Sequence, residues 1–370
     1  MRERVAALLG TPVERIAGLG SSHAWTLHRA TLSDGREVFI KALTDRPLDA
    51  GAAGGAGGAE GAGGASGAEG AGGSGGAGVA GGSGGAARSG GLGAAADRSG
   101  GADRSGGAGV FAAEAAGLRW LGEAGDGTPV PEVLASDDRV LVLPWLEQGA
   151  AGPEAAERFG RELDAMHAAS PGAFGAPWDG FIADLPLDNT LDGGDWSAWY
   201  AERRLEPFLR RASRSLSRDD VALVERVMGR IGGLAGPAEP SARIHGDLWS
   251  GNVLWTDGRA MLIDPAAHGG HRETDLAMLA LFGTPMLNRI LAAYAGAARE
   301  RGAPLADGWR ERVPLHQLHP LLVHVALFGG SYRSALVEAA SAALGAGAEP
   351  RFRFDLVTPQ SWLFVFWKMR

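Results

Sequence analysis

The feature that most constrains how this chain can fold is a long stretch dominated by glycine, alanine and serine. It runs over residues 48–109, and its few charged residues are Asp, Glu and Arg. Such a composition buries too little apolar surface to offset the entropy lost on ordering, so we predict a disordered insertion. If free, its ends would lie roughly 45 Å apart. A collagen-like element is disfavoured because the strict Gly-X-Y period with proline is missing.

The rest of the composition excludes several classes of protein. The chain has 370 residues and 60 glycines, so its folded part is smaller than its length implies but still sufficient for two modest lobes. A net charge of −8 without a basic stripe argues against nucleic-acid binding. The absence of cysteine excludes disulfides and thiolate metal sites. No apolar run is long enough to cross a bilayer. We therefore expect a cytoplasmic monomer without nucleic-acid or membrane partners.

The N-terminal region contains a hairpin signal. Two apolar-rich segments, 24–32 and 36–43, flank Asp34 and Gly35, and an Asp-Gly pair suits the positive φ of a tight hairpin turn. Alternation along the second segment places Val38 and Ile40 on one face and Phe39 and Lys41 on the other. A glycine-and-serine segment, 18–22, comes just before the first strand, and we predict a turn there.

The region after the insertion is predicted to be mainly helical. A helix begins at Phe111, and an apolar strand beginning at Val140 stops at Pro144. Beyond residue 147, a short strand–loop–strand interrupts a series of helices. The helices are predicted at 153–169, 196–212, 218–234, 273–282, 285–300 and 315–343.

The strand–loop–strand carries the chemistry. It contains His245-Gly-Asp247, then Asn252, and then Asp264 at the end of an apolar strand. Phosphoryl transfer from a nucleotide needs a carboxylate that accepts the proton of the attacking hydroxyl, together with oxygen ligands for Mg²⁺. An isolated His-Gly-Asp is typical of an ordinary turn, but the combined spacing favours Asp247 as the base and Asn252 and Asp264 as metal ligands. We interpret His245 as a structural residue of the loop.

A lysine and a glutamate are expected to complete the nucleotide site. Lys41 lies on a strand, and Glu114 lies on the helix that follows the insertion. A Lys–Glu pair between strand and helix holds the α- and β-phosphates in phosphotransferases of this kind. The insertion does not prevent this pairing, since lengthening a flexible loop about tenfold costs roughly 2 kcal/mol.

Two further segments are candidates for ATP contacts. Backbone N–H groups of Gly20, Ser21 and Ser22 would cover the phosphates, although an ordinary loop before a hairpin remains the alternative. The adenine base of ATP would lie where the chain crosses between lobes, near Leu143 and Leu146.

Together these residues resemble the fructosamine/ketosamine-3-kinase family, within the aminoglycoside and choline phosphotransferase-like kinases. The most specific marker is Trp249 inside His-Gly-Asp-Leu-Trp-Ser-Gly-Asn, because relatives acting on choline or antibiotics more often carry another residue there. Further matching segments occur in the family's order. They lie at 111–119, 174–190, 196–207, 269–277 and 316–333.

The resemblance implies an α+β, protein-kinase-like bilobal fold. The N-lobe, residues 1–146, would consist of an antiparallel sheet plus a helix, and the larger C-lobe, 147–370, would be mainly helical. ATP and Mg²⁺ are the implied cofactors, and Trp249, Tyr332 and His268 the implied substrate contacts.

The implied reaction is phosphorylation of the 3-hydroxyl of a ketosamine, free or protein-bound. The unstable 3-phosphate then eliminates and frees the amine. An aminoglycoside- or choline-type phosphotransferase of the same fold is the alternative, and a non-enzymatic nucleotide-binding scaffold is a third. The chain departs from the family pattern in its insertion, in Gly180 at a usual asparagine position, and in lacking a phosphate-loop cysteine.

Overall fold

A computed structural model of the chain describes residues 1–22, 25–43 and 109–345. The insertion predicted at 48–109 lies outside these residues except for Gly109, and so does the end of the chain from residue 346.

The N-terminal lobe is built on a five-stranded antiparallel sheet in the order β1-β2-β3-β5-β4. The strands are β1 Val13–Ser22, β2 Trp25–Leu32, β3 Glu37–Leu43, β4 Ala135–Ser136 and β5 Val140–Pro144. The hairpin predicted around Asp34-Gly35 is confirmed: Thr31 pairs with Glu37, and Gly35 has a φ of 84°.

The predicted turn at 18–22 is wrong, because these residues belong to β1. Gly18 pairs with His28, Ser22 pairs with Trp25, and a register shift between Gly18 and Gly20 marks a bulge. A glycine suits a bulge, and Gly20 adopts a φ of 142° there. The glycines therefore belong to a bulged strand.

The two faces of the sheet have different partners. Val38 and Ile40 are fully buried in a core shared with helix α1, Arg2–Leu9, which we did not predict. Phe39 lies on the opposite face, in a second cluster with helix α2, Val110–Gly122. The alternation read from the sequence thus places Lys41 on the side of α2.

The C-terminal lobe is mainly helical. Its helices are α3 Pro153–Ala168, α4 Trp196–Tyr200, α5 Glu206–Ala212, α6 Arg218–Leu234, α7 Arg272–Leu281, α8 Leu287–Glu300, α9 Val313–Phe328 and α10 Arg333–Ala343. Its short strands are β6 Gly180–Ile182, β7 Leu185–Leu187, β8 Ala242–Ile244, β9 Val253–Thr256, β10 Arg259–Leu262 and β11 His268–Gly270. The predicted α+β, bilobal fold is confirmed.

Helix α3 shows how the helical lobe is packed. The four residues of its apolar face are all fully buried: Ala156, Phe159, Leu163 and Met166. On the same helix a Cβ at Gly160 would lie 2.2 Å from the carbonyl oxygen of Ile290 in α8. Because residue 160 is glycine, the backbones of α3 and α8 can pack in direct contact. Helix α3 also packs against β8 and β10.

Two predicted helices are interrupted. A π-helical turn at Ala201–Leu205 separates α4 from α5, and Gly329, with a φ of 69°, separates α9 from α10. Among the described residues, no helix is long and apolar enough to cross a membrane.

Candidate active site

The His-Gly-Asp loop, residues 245–252, follows β8 and has a backbone that only glycine satisfies. Gly246 has a φ of 80°, and a Cβ there would lie 2.3 Å from the carbonyl oxygen of Ala266. The buried ring of His245 accepts the N–H of Asp247 at 3.3 Å and donates to the carbonyl of Ile263 at 2.9 Å. Burial lowers the pKa of His245, so the ring is neutral and structural, as predicted.

A buried carboxylate holds this loop from below. Asp275 of α7 accepts the backbone N–H groups of His245 at 2.7 Å and Gly246 at 3.0 Å. It also accepts a hydrogen bond from His167 of α3 at 3.1 Å, and His167 in turn contacts the hydroxyl of Tyr294 at 2.9 Å. Burial alone would raise the pKa of Asp275, but the hydrogen bonds from His167 and from the backbone N–H of His245 hold it below its ordinary value. The carboxylate is therefore ionised and fixes the loop.

Asp247 lies in the cleft between the lobes with an amide beside it. The Nδ2 group of Asn252 donates to the carbonyl oxygen of Asp247 at 2.8 Å and to its Oδ2 at 3.1 Å. Burial raises the pKa of Asp247 to about 7, and repulsion by Asp264 adds to the rise. Such a carboxylate is a better proton acceptor than an ordinary aspartate.

Lys41 joins the two lobes. Its Nζ lies 2.8 Å from Oε2 of Glu114 on α2 and 3.2 Å from Oδ1 of Asp264, and its side chain is 5% exposed. Burial raises the pKa of Glu114 to about 7. Burial acts on Asp264 in the same direction, but the Lys41 ammonium holds its pKa below the ordinary value. The Lys41–Glu114 contact predicted across the insertion is present.

The side chains at the predicted metal position fit a hard cation. Both hydrogen bonds of the Asn252 Nδ2 group go to Asp247, which leaves its amide oxygen available to a ligand. Asp264 is half-buried, ionised and held at a φ of 54°, an uncommon conformation for a non-glycine residue. An amide oxygen and a carboxylate are ligands that Mg²⁺ accepts.

The N-terminal side of the cleft is largely apolar. Leu143 and Leu146, predicted at the lobe crossing, both line it, together with Leu27 and Phe39 of the sheet. On the other side lie Leu254 and Ile263 of the helical lobe. An apolar slot beside an ion-paired lysine suits a planar base joined to phosphates.

The C-terminal side of the cleft is aromatic. The ring of Trp249 lies over Gly251, where a Cβ would meet it at 2.1 Å, and its centroid is 6.3 Å from Phe282. Tyr332 lies 4.7 Å from His324 and 6.4 Å from Phe282, measured between ring centroids. All four of these aromatic side chains line the cleft, so Trp249 and Tyr332 lie where a substrate contact was expected.

Sequence reasoning missed Phe282 and His324. Their signal is weak, because a phenylalanine ending α7 and a histidine within the apolar helix α9 each read as ordinary core residues. Only the spacing of His324, Phe328 and Tyr332, four residues apart, indicates a shared face.

Other predicted contacts lie elsewhere. His268 of β11 is buried, donates to the carbonyl of Ala266 at 2.8 Å and lies 5.4 Å from the ring of Trp199. It is not among the described residues lining the cleft, because β11 pairs with β8 beneath the His-Gly-Asp loop. Gly20 and Ser21 are exposed on β1 and also lie outside the described lining, and only the backbone of Ser22 is described.

A small antiparallel sheet with an ion-paired lysine, joined to a helical lobe carrying an Asp–Asn loop, defines the kinase-like phosphotransferase class. Comparison with known proteins agrees. A crystal structure of a candidate fructosamine-3-kinase from Thermobifida fusca is 46% identical, with a TM-score of 0.72 over 94% of this chain and 99% of that one. A hygromycin-bound aminoglycoside phosphotransferase, 14% identical with a TM-score of 0.52 over 94% of this chain and 99% of that one, shares the fold.

The family follows from the sequence comparisons. The model of the fructosamine kinase family matches residues 102–345. A protein named as a probable ketoamine kinase from Thermus thermophilus is 36% identical over 235 residues, covering 63% of this chain and 82% of that protein. The chain belongs to the fructosamine kinase family.

Proposed function

We propose that this protein transfers the γ-phosphate of ATP to the 3-hydroxyl of a ketosamine, an amine carrying a 1-deoxy-ketose. One observation carries the proposal: Asp247, Asn252, Asp264, Lys41 and Glu114 meet in a single cleft that has an apolar slot on one side and an aromatic wall on the other.

The residues divide the reaction between them. Asp247 takes the proton of the attacking hydroxyl as the new O–P bond forms and the bond between the γ-phosphorus and the ADP oxygen breaks. Lys41, held by Glu114, binds the α- and β-phosphates. Asn252 and Asp264 hold Mg²⁺, which supplies charge neutralisation when bound.

The aromatic wall supports the choice of substrate class. Trp249 and Tyr332 line this side of the cleft. Aromatic rings there suit a sugar that carries a nearby ammonium group, since cations are attracted to aromatic faces. The ketosamine 3-phosphate would then eliminate and release the amine, which makes the reaction a deglycation. Phosphotransferases for aminoglycosides share the fold, and only substrate turnover separates the two activities.

The test is a panel of substrates with Mg²⁺ and ATP. The panel holds a fructosamine and a ribulosamine of lysine, a glycated protein, kanamycin and choline, with ADP release and product mass as readouts. We expect turnover of the ketosamines and loss of the sugar from the amine. Turnover of kanamycin or choline without any ketosamine turnover would overturn the substrate assignment, and Mg²⁺-ATP binding without turnover of any compound would favour a scaffold.

A further inference from the structure

Helix α2 begins against the helical lobe. The ring of Phe181 on β6 is the nearest group to Gly109, at 3.5 Å from a Cβ built there. Phe181 also packs with the cluster that contains Val110 and Phe111. The N-terminal end of the helix that carries Glu114 therefore packs against a strand of the opposite lobe.

The other end of α2 is held by one guanidinium. Arg243 of β8 donates through Nη1 to the carbonyl oxygen of Trp120, and its Cζ lies 4.4 Å from the centroid of the Trp120 ring. The same Nη1 lies 3.4 Å from Oε2 of Glu123. Trp178, which lines the cleft, meets Trp120 edge-on at 5.6 Å.

Arg243 also contacts the elements that fix the His-Gly-Asp loop. Its Nε donates to the carbonyl oxygen of Ala169 at 3.3 Å, at the end of α3. Two residues earlier on α3 is His167, which holds Asp275, and two residues after Arg243 is His245 itself. One side chain therefore connects the helix of Glu114, the helix of His167 and the strand that leads into the loop.

We propose that Arg243 is a positioning residue that holds α2, and with it Glu114 and Lys41, in register with the His-Gly-Asp loop. A guanidinium can donate in several directions and lie flat on an indole at the same time, whereas a lysine ammonium cannot replace both contacts. The effect reaches the nucleotide through Glu114, so this inference rests on the proposed function of Lys41 and Glu114 in binding ATP phosphates.

The experiment compares Arg243→Lys with Arg289→Lys. The control makes the same change at another arginine that connects two helices: Arg289 of α8 lies 2.7 Å from Glu157 of α3. In Arg243→Lys we expect the Kd of Mg²⁺-ATP, measured by calorimetry, to rise about three- to tenfold. The KM of the ketosamine should not change in Arg243→Lys. The Kd of Mg²⁺-ATP should not change in the control, Arg289→Lys.

A double-mutant cycle tests the route of the effect. If Arg243 acts through Glu114, then Arg243→Lys should add little to the loss of ATP affinity already caused by Glu114→Gln. Additive losses, or a lower Tm with an unchanged Kd for ATP, would overturn the proposal, since a purely structural residue predicts those results.

Two further measurements keep the outcome decisive. Trp120→Leu keeps a good helix former and removes the ring that contacts both the guanidinium and Trp178, so it serves if Arg243→Lys does not fold. Amide exchange in α2 should become several-fold faster in either variant and stay unchanged in the control. Wild-type protein that binds no Mg²⁺-ATP would contradict the proposed function, and the α2 amides would still decide the role of Arg243.

Discussion

The two sides of the cleft are held in place in different ways. The His-Gly-Asp loop is fixed from below by the fully buried Asp275 and by a glycine with no room for a side chain. The end of β1, with Gly20 and Ser21, is exposed and held by backbone pairing with β2. The groups proposed for chemistry therefore depend on side-chain identity, whereas the strand near the proposed phosphate position depends mainly on backbone shape.

The largest expected effect is on Asp247. Asp247→Asn keeps the size of the side chain and removes the proton acceptor, so kcat should fall about 10²- to 10⁴-fold. Binding of Mg²⁺-ATP, measured by calorimetry, should stay largely intact. A variant with full kcat would show that Asp247 is not the base.

Glycine-to-alanine substitutions on the two sides test the comparison directly. Gly246→Ala would put a Cβ 2.3 Å from the carbonyl oxygen of Ala266 at a φ of 80°, whereas Gly20→Ala meets no atom within 4 Å. We expect Gly246→Ala to lower the free energy of unfolding by about 2–4 kcal/mol and Gly20→Ala by about 1 kcal/mol. Urea denaturation measures both, and equal losses would contradict the contrast.

Acid should weaken the anchor of the loop. The folded pKa of Asp275 is held below its ordinary value, so the carboxylate stabilises the fold above about pH 4. That contribution is lost as the pH falls through the lower folded pKa. The urea midpoint of Asp275→Asn should therefore change less between pH 6 and pH 3 than that of the wild type. Parallel curves would mean that Asp275 contributes no acid sensitivity.

The smallest effect is expected at Ser21. Its side chain is exposed, and it pairs with Thr26 through the backbone. Ser21→Ala should change the free energy of unfolding by less than about 0.5 kcal/mol and the KM of ATP by less than about threefold. A tenfold rise in the KM of ATP would show that the hydroxyl contacts the phosphates.

Local patterns predicted much of the fold. Helix α6 begins and ends at the predicted residues, and a capping box formed by Ser217 and Asp220 fixes its start. The Asp34-Gly35 hairpin was equally readable. Helix α1 was missed because Val5 is its only buried residue, which leaves no apolar stripe to detect. Glycine and serine at the end of β1 predict a turn, because these residues are common in turns. In the structure the glycines lie in a bulged strand instead.

The candidate site also contains residues that the sequence predicts and residues that it does not. The spacing of Asp247, Asn252 and Asp264 is local information, and all three side chains line the cleft. The positions of two histidines could not be predicted in this way. His268 was expected at the substrate but does not line the cleft among the described residues, whereas His324, which was not expected there, does. Tertiary packing decides which face of a helix or strand lies toward the cleft. A short segment of sequence therefore cannot predict which of its side chains line the cleft.

The burial of Lys41 has a consequence for the protein's own exposure to sugars. The chain has one other lysine, Lys368, which lies outside the described residues, and 33 of its 35 basic side chains are arginines. Reducing sugars condense with unprotonated amines, and Lys41 is 4% exposed and paired with two carboxylates. The described surface therefore presents no accessible lysine amine to a reducing sugar.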